Sequence, residues 1–217
     1  MKTALISGAT GLVGSFLVTM LLEDGYYDKV KILVRKPVEP EHPTLEQIIY
    51  DYENPEPEKL VADDVFCCLG TTIKRAGSKE AFRKVDHDYP LQVAKAVHKN
   101  GAKNFSIVTA IGSNSKSSIF YNKVKGEVEE NLKEVPFHSL QILRPSMLLG
   151  TRKEFRRGEE IGKFVASTLW FLFPKRYRGI HASQVAACMI NTMKKPVKGV
   201  QVIESEKMHE WPIRADI

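Results

Sequence analysis

Tyr121 and Lys125 stand at i and i+4 in Tyr121-Asn122-Lys123-Val124-Lys125. On a helix that spacing puts both side chains on one face. A phenol beside an ammonium can hand a proton to a carbonyl oxygen while hydride reaches the carbon. A free phenol titrates near about pH 10, too high for easy exchange at neutrality. The neighbouring cation favours phenolate and is expected to lower that value. The same ammonium can hydrogen-bond the ribose of a nicotinamide nucleotide. Tyr-x-x-x-Lys arises by chance in a Lys-rich chain, so position has to supply the meaning. The pair follows a strand-like run and a Ser/Gly-rich loop; a surface helix pair is the plain alternative. A third polar group should hold the substrate carbonyl. Thr109, at the carboxyl end of that run, is preferred because such a residue faces the crevice of an open sheet. Ser113, Ser117 and Ser118 read as loop-turn hydroxyls.

A second constellation lies at the start of the chain, in Gly8-Ala9-Thr10-Gly11-Leu12-Val13-Gly14. It joins an apolar strand to a helix-like segment. A turn there needs unusual φ, close approach of backbone to a diphosphate, and tight packing of helix on strand. The helix start then offers unpaired N–H groups and partial positive charge to phosphates. The spacing G-x-x-G-x-x-G is one residue off the dehydrogenase fingerprint. An ordinary tight turn is the alternative. The next strand, Lys31-Ile32-Leu33-Val34, ends in Arg35-Lys36 with no acid at its tip. A carboxylate at that place would bind a ribose 2′-hydroxyl, whereas arginine accommodates a 2′-phosphate. NADP(H) is therefore expected, with Arg35 the main contact and Lys36 supporting it; a solvated basic loop is the alternative.

The elements that would position these groups alternate. Strands are expected at Thr3 to Ser7, Val30 to Val34, Gln47 to Tyr50, Asp64 to Leu69, Asn104 to Ala110 and Ser139 to Leu143. Helices are expected at Val13 to Leu22, Glu80 to Tyr89, Pro90 to Lys99 and Ile119 to Leu132, with Glu127, Glu129 and Glu130 on exposed faces. Short β-rich runs separated by helices imply an α/β fold: a Rossmann-type, doubly wound parallel sheet covered on both sides. After Gly150 the alternation fades. A helix around Glu159 to Leu172, a second from Ser183 to Met193 and a strand near Val200 to Ile203 read as a small C-terminal elaboration. Residues 1–217 are thus expected to form one dinucleotide-binding domain, with 151–217 its substrate-side part.

Composition narrows the remaining classes. The chain has 217 residues, 43% of them hydrophobic, enough for one domain with a real core. The apolar stretch from Phe164 to Phe173 is too short for a transmembrane segment. The basic residues that follow it leave peripheral membrane contact as an alternative to a core or lid helix. The chain opens directly into a strand, which argues against a secretory signal. Three cysteines, an odd number without metal-like spacing, argue for buried thiols, no metal and a cytoplasmic protein. Cys67 and Cys68 would point to opposite faces of a strand. The net charge of +6 is spread among acids with no aromatic-interleaved basic block, which argues against nucleic acid. His87, between Asp86 and Asp88, lacks a second ligand cluster and reads as a helix-surface residue; His138 and His181 are isolated.

Taken together, the motifs resemble the short-chain dehydrogenase/reductase superfamily, and within it a small atypical branch of Tat-interacting oxidoreductase-like proteins. The segments that carry the likeness are the glycine turn, Phe66-Cys67-Cys68-Leu69-Gly70-Thr71-Thr72, Val85-Asp86-His87-Asp88-Tyr89, Lys116 to Glu127, and Leu143-Arg144-Pro145-Ser146-Met147-Leu148-Leu149-Gly150. The resemblance implies NADPH in the crevice and Tyr121 with Lys125 as catalytic pair. It also implies that Gly70 and Thr71 line the cofactor cleft and that Arg144 borders the nicotinamide end. The superfamily's serine falls near Thr109-Ala110, and Ala110 has no hydroxyl; either Thr109 substitutes or turnover is impaired. Two functions follow. One is a reductase of a small-molecule carbonyl. The other is a cofactor-dependent regulator that recognises a protein partner. A nucleotide-sugar epimerase would need more substrate-binding chain than 151–217 offers.

Overall fold

The computed structural model describes residues 1–39, 41–150 and 174–214. Among the described residues nine strands occur in chain order: β1 (Thr3–Ser7), β2 (Lys29–Val34), β3 (Leu45–Ile49), β4 (Asp64–Cys67), β5 (Asn104–Val108), β6 (Ser139–Arg144), β7 (Leu148–Leu149), β8 (Ile180–His181) and β9 (Gly199–Glu204). Seven of them form one sheet in the order β3-β2-β1-β4-β5-β6-β9, parallel throughout. β7 and β8 form a separate short parallel pair. The doubly wound parallel sheet read from the sequence is the observed one.

Each face of the sheet carries its own core, as strict alternation of side chains requires. Ala4, Ile6 and Phe66 face α1 (Leu12–Asp24) and a later helix at Ala182–Lys194, so that Leu17, Met20 and Leu21 share one cluster with Val185, Ala186 and Met189. Leu5, Val65, Phe105 and Ile107 face the opposite way, toward Val93 and Val97 of one helix and Val128 and Leu132 of another. Cys67 and Cys68 fall on these two opposite sides.

Between β4 and β5 the chain makes two short helices, α2 (Ile73–Ala76) and α3 (Lys79–Arg83). Thr72 and Ser78 cap them by accepting from Arg75 N at 3.2 Å and Ala81 N at 3.0 Å. α3 continues through a π-helical turn at Lys84–Asp88 into α4 (Tyr89–Lys99). One π turn thus interrupts what the sequence reads as two consecutive helices. α5 (Phe120–Lys133) follows β5, α6 is the helix Ala182–Lys194, and α7 (Ser205–Met208) follows β9. His181, read as isolated, caps α6, and its backbone N–H donates to Gln184 Oε1 at 3.3 Å. The helix expected around Glu159 to Leu172 and the apolar stretch from Phe164 to Phe173 lie outside the described residues. Among the described residues no helix is long and apolar enough to cross a membrane.

The chain leaves β1 toward β2 and β3, then returns to place β4 on the other side of β1. At such a reversal the connecting loops part and open a crevice above the carboxyl ends of the two strands.

Candidate functional site

The glycine turn sits at that crevice, between β1 and α1. Gly8 has φ +77°, and a Cβ there would lie 2.5 Å from the Cys68 carbonyl group. The turn therefore packs bare backbone against the exit of β4. Gly11 N donates to Gly8 O at 3.0 Å. A Cβ on Gly14 would meet Gly8 O at 2.1 Å, so α1 approaches its own turn as closely as backbone allows. The N-cap is Gly11, which has no side chain to accept from the first amides, and the first turn carries no acid. The N–H groups at Leu12, Val13 and Gly14 thus have no side-chain cap, and the positive end of the helix has no local carboxylate to balance it. Thr10 and Gly11 are exposed, Leu12 is half-buried and Val13 buried. A helix start of this kind can receive an anion.

Arg35 and Lys36 follow the last residue of β2, both exposed. The Arg35 charge reaches the Tyr52 phenol, which burial pushes far above its ordinary value. Tyr52 belongs to an aromatic group with Tyr50 and Tyr89, in which Tyr52 and Tyr89 stack at 4.8 Å.

On the β4 side of the crevice the structure brings together Gly70, Thr71, Tyr121 and Lys125. Lys125 is buried on α5, and its Nζ lies 2.7 Å from Asp86 Oδ1; the two side chains are 5% and 1% exposed. The other Asp86 oxygen accepts from Thr71 N at 2.9 Å. A Cβ on Gly70 would sit 3.4 Å from Asp86 Oδ1 and 3.7 Å from Lys125 Nζ. Tyr121, one turn before Lys125, is half-buried with its ring 5.5 Å from that of Phe82. Gly126 lets the preceding loop rest on α5, because a Cβ there would lie 2.1 Å from Ser115 N.

Lys125 acts on the Tyr121 phenol in the expected direction, but burial outweighs it. Burial pushes the Tyr121 phenol above its usual value, Lys125 pulls it down by less, and Asp86 adds to the rise. Burial opposes the Lys125 ammonium as well, yet Asp86 and Tyr121 hold that group above its usual range. Asp86, the partner of that lysine, opposes its effect on the phenol.

Thr109 and Arg144 belong to a neighbouring buried network. Thr109 Oγ1 donates to Glu129 Oε1 at 2.6 Å and lies 3.2 Å from Leu143 O. Arg144 Nε donates to both Glu129 oxygens, at 3.1 and 3.2 Å, and its Nη2 also pairs with Glu129. Its Nη1 donates to Glu204 Oε1 at 3.2 Å. Glu129, expected on an exposed face, is fully buried. The periodicity held the signal: Tyr121, Lys125 and Glu129 are i, i+4 and i+8, one stripe of α5. His87, expected at a helix surface, is also buried. Its Nδ1 pairs with Asp88 Oδ1 at 2.6 Å and its Nε2 with Asn131 Nδ2 at 3.0 Å. The partner of Lys125, Asp86, is not singled out by the sequence, for it lies far from Lys125 in the chain and meets it only through the fold.

The HIM1 family model matches residues 58–170. Protein HTATIP2 of Rattus norvegicus is 31% identical over 212 residues, covering 94% of this chain and 87% of that protein. Protein FMP52, mitochondrial, of Eremothecium gossypii is 38% identical over 178 residues, covering 81% of this chain and 77% of that protein. Among solved structures, MoeE5 in complex with UDP-glucose and NAD matches with a TM-score of 0.71 at 16% identity, over 95% of this chain and 79% of that one. A likeness at that identity concerns the fold. These relatives agree with the resemblance read from the motifs. They overturn the cytoplasmic expectation, because FMP52 relatives from several organisms are named as mitochondrial. Cys67, Cys68 and Cys188 are free thiols, which does not fix an address.

Proposed function

The chain belongs to the HIM1 family, and we propose that it binds a nicotinamide dinucleotide, preferentially NADP(H), above β1 and β4 and reduces a small carbonyl substrate. The observation that carries this reading is the meeting of Tyr121, buried Lys125 and Gly70 on the same crevice as an uncapped, acid-free helix start. The uncapped amides at Leu12, Val13 and Gly14 would take the diphosphate, with Gly8, Thr10 and Gly11 forming the turn beneath it. Arg35 and Lys36, at the acid-free tip of β2, would take the 2′-phosphate. Gly70 and Thr71 would line the cleft, and the Lys125 ammonium keeps donors for a ribose hydroxyl after pairing with Asp86. Arg144, held by Glu129 and Glu204, would shape the nicotinamide end from behind.

Bound dinucleotide supplies the hydride. Tyr121 supplies the proton: burial keeps its phenol in the acid form, the form that a donor to a carbonyl oxygen requires. Calorimetric titration with NADPH and NADH, followed by NADPH consumption over a carbonyl panel, tests the reading. Tight NADPH binding and turnover that Tyr121→Phe abolishes are the expected results. No binding of either nucleotide defeats the proposal, and equal affinity for both defeats the NADP(H) preference.

One observation favours a second reading. The Thr109 hydroxyl is spent on Glu129, and Ala110 offers none. That suits a dinucleotide-dependent module that recognises a protein partner with little turnover. NADPH binding without consumption across the panel would select it.

A further inference from the structure

We propose that Asp86 is a positioning residue that joins the loop after β4 to the Tyr121–Lys125 helix, so that occupancy of Gly70–Thr71 and the state of Lys125 are coupled through one carboxylate. The proposal rests on reading this crevice as a dinucleotide site.

The carboxylate is divided between two elements. Oδ2 takes the Thr71 N–H at 2.9 Å, and Oδ1 faces Lys125 Nζ at 2.7 Å. Gly70 lies directly against the pair, since a Cβ there would be in van der Waals contact with both Asp86 Oδ1 and Lys125 Nζ. Asp86 reaches this place from the π turn at Lys84–Asp88. A π turn holds one more residue than an α turn, which rotates the residues after it by about 100°. Asp86 and His87 both turn inward, while Lys84 and Asp88 stay exposed. A charge this deeply buried is tolerated only when paired. Lys125 faces Asp86 from the π turn, Tyr121 on its own helix and Cys67 from β4. Asp86 is the carboxylate of that group. Any movement of the Gly70–Thr71 loop that carries Asp86 with it alters the partner of Lys125, and through it the field at Tyr121.

The test uses the full chain labelled with ¹³Cε-lysine, with the Lys125 resonance assigned by its loss in Lys125→Met. In Asp86→Asn the lysine is expected to titrate at lower pH than in the parent. NADPH affinity is expected to fall about tenfold, the scale of one lost charge-assisted hydrogen bond. An unmoved Lys125 titration in folded Asp86→Asn overturns the proposal, as does a shifted titration with unchanged NADPH affinity. Should Asp86→Asn fail to fold, Asp86→Asn combined with Lys125→Met is expected to regain the fold, because the unpaired ammonium is gone; a double variant that stays unfolded also overturns it. If the parent protein binds neither nucleotide, the crevice reading fails and ligand coupling fails with it, while the lysine titration still decides whether Asp86 holds Lys125.

Discussion

The Thr109 hydroxyl donates to Glu129 at 2.6 Å in a place closed to solvent, which joins the carboxyl end of β5 to the middle of α5. Glu129→Ala would leave Arg144 without its main partner. Breaking a fully buried pair costs about 3–5 kcal/mol. The Arg144 side chain is 23% exposed, and solvent takes up part of its charge. A loss of about 2–3 kcal/mol in urea unfolding is expected. Thr109→Val removes one donor and should cost about 1–2 kcal/mol, whereas Thr109→Ser should cost less. Equal losses in the valine and serine variants would deny the hydrogen bond its role.

Gly126 follows Lys125 and touches the Asn114–Ser115 backbone so closely that even a methyl group has no room. Gly126→Ala should lower stability by about 1–3 kcal/mol, because the loop must lift from the helix. Amide exchange at Asn114 and Ser115 should quicken in the variant. A neutral Gly126→Ala would mean that the loop does not rest on α5.

The Tyr52 hydroxyl is buried and finds no hydrogen-bond partner among the described residues. Tyr52→Phe keeps the stack on Tyr89 and removes a desolvated polar group, so stability at neutral pH should hold or rise by about 1 kcal/mol. Burial keeps the folded Tyr52 phenol protonated beyond the range in which the unfolded residue ionises. The native state therefore binds more protons above about pH 10, and stability falls as pH rises through that range. Tyr27 acts in the same direction, being buried with its hydroxyl on Asp64 at 2.7 Å. Urea melts between pH 8 and 11 should show this alkaline loss, shallower in Tyr52→Phe. An identical slope in both proteins would remove Tyr52 from the account.

Arg35→Ala should weaken NADPH binding about tenfold or more while NADH binding changes little, the mark of a lost charge-assisted contact to a 2′-phosphate. Paired titrations of the two nucleotides read this directly. An equal loss for both would assign Arg35 to adenine stacking or to general electrostatics.

The frame of the molecule was legible because its strands are short, continuous apolar runs. Thr3–Ser7 and Asn104–Val108 lie within the expected segments. The glycine turn was legible because its spacing has a backbone cause, seen in the close approach of Gly14 to Gly8. The pairings inside the site were not. Asp86 and His87 look like surface residues in Lys84-Val85-Asp86-His87-Asp88, and only the π turn buries them. Glu129 resembles its exposed neighbour Glu130, and its burial depends on Arg144 and Thr109 arriving from β6 and β5. Local pattern sets which face a residue occupies, but a charge is admitted to the interior by a partner distant in sequence.

The packing of α1 against α6 has a consequence for biosynthesis. Leu17, Met20 and Leu21 leave the ribosome well before Val185, Ala186 and Met189, which seal them. Until those residues are made, this side of the nascent sheet stays open. Non-local closure of this kind is slow and leaves apolar surface available for misassembly. The growing chain should therefore need chaperone protection until α6 has been synthesised.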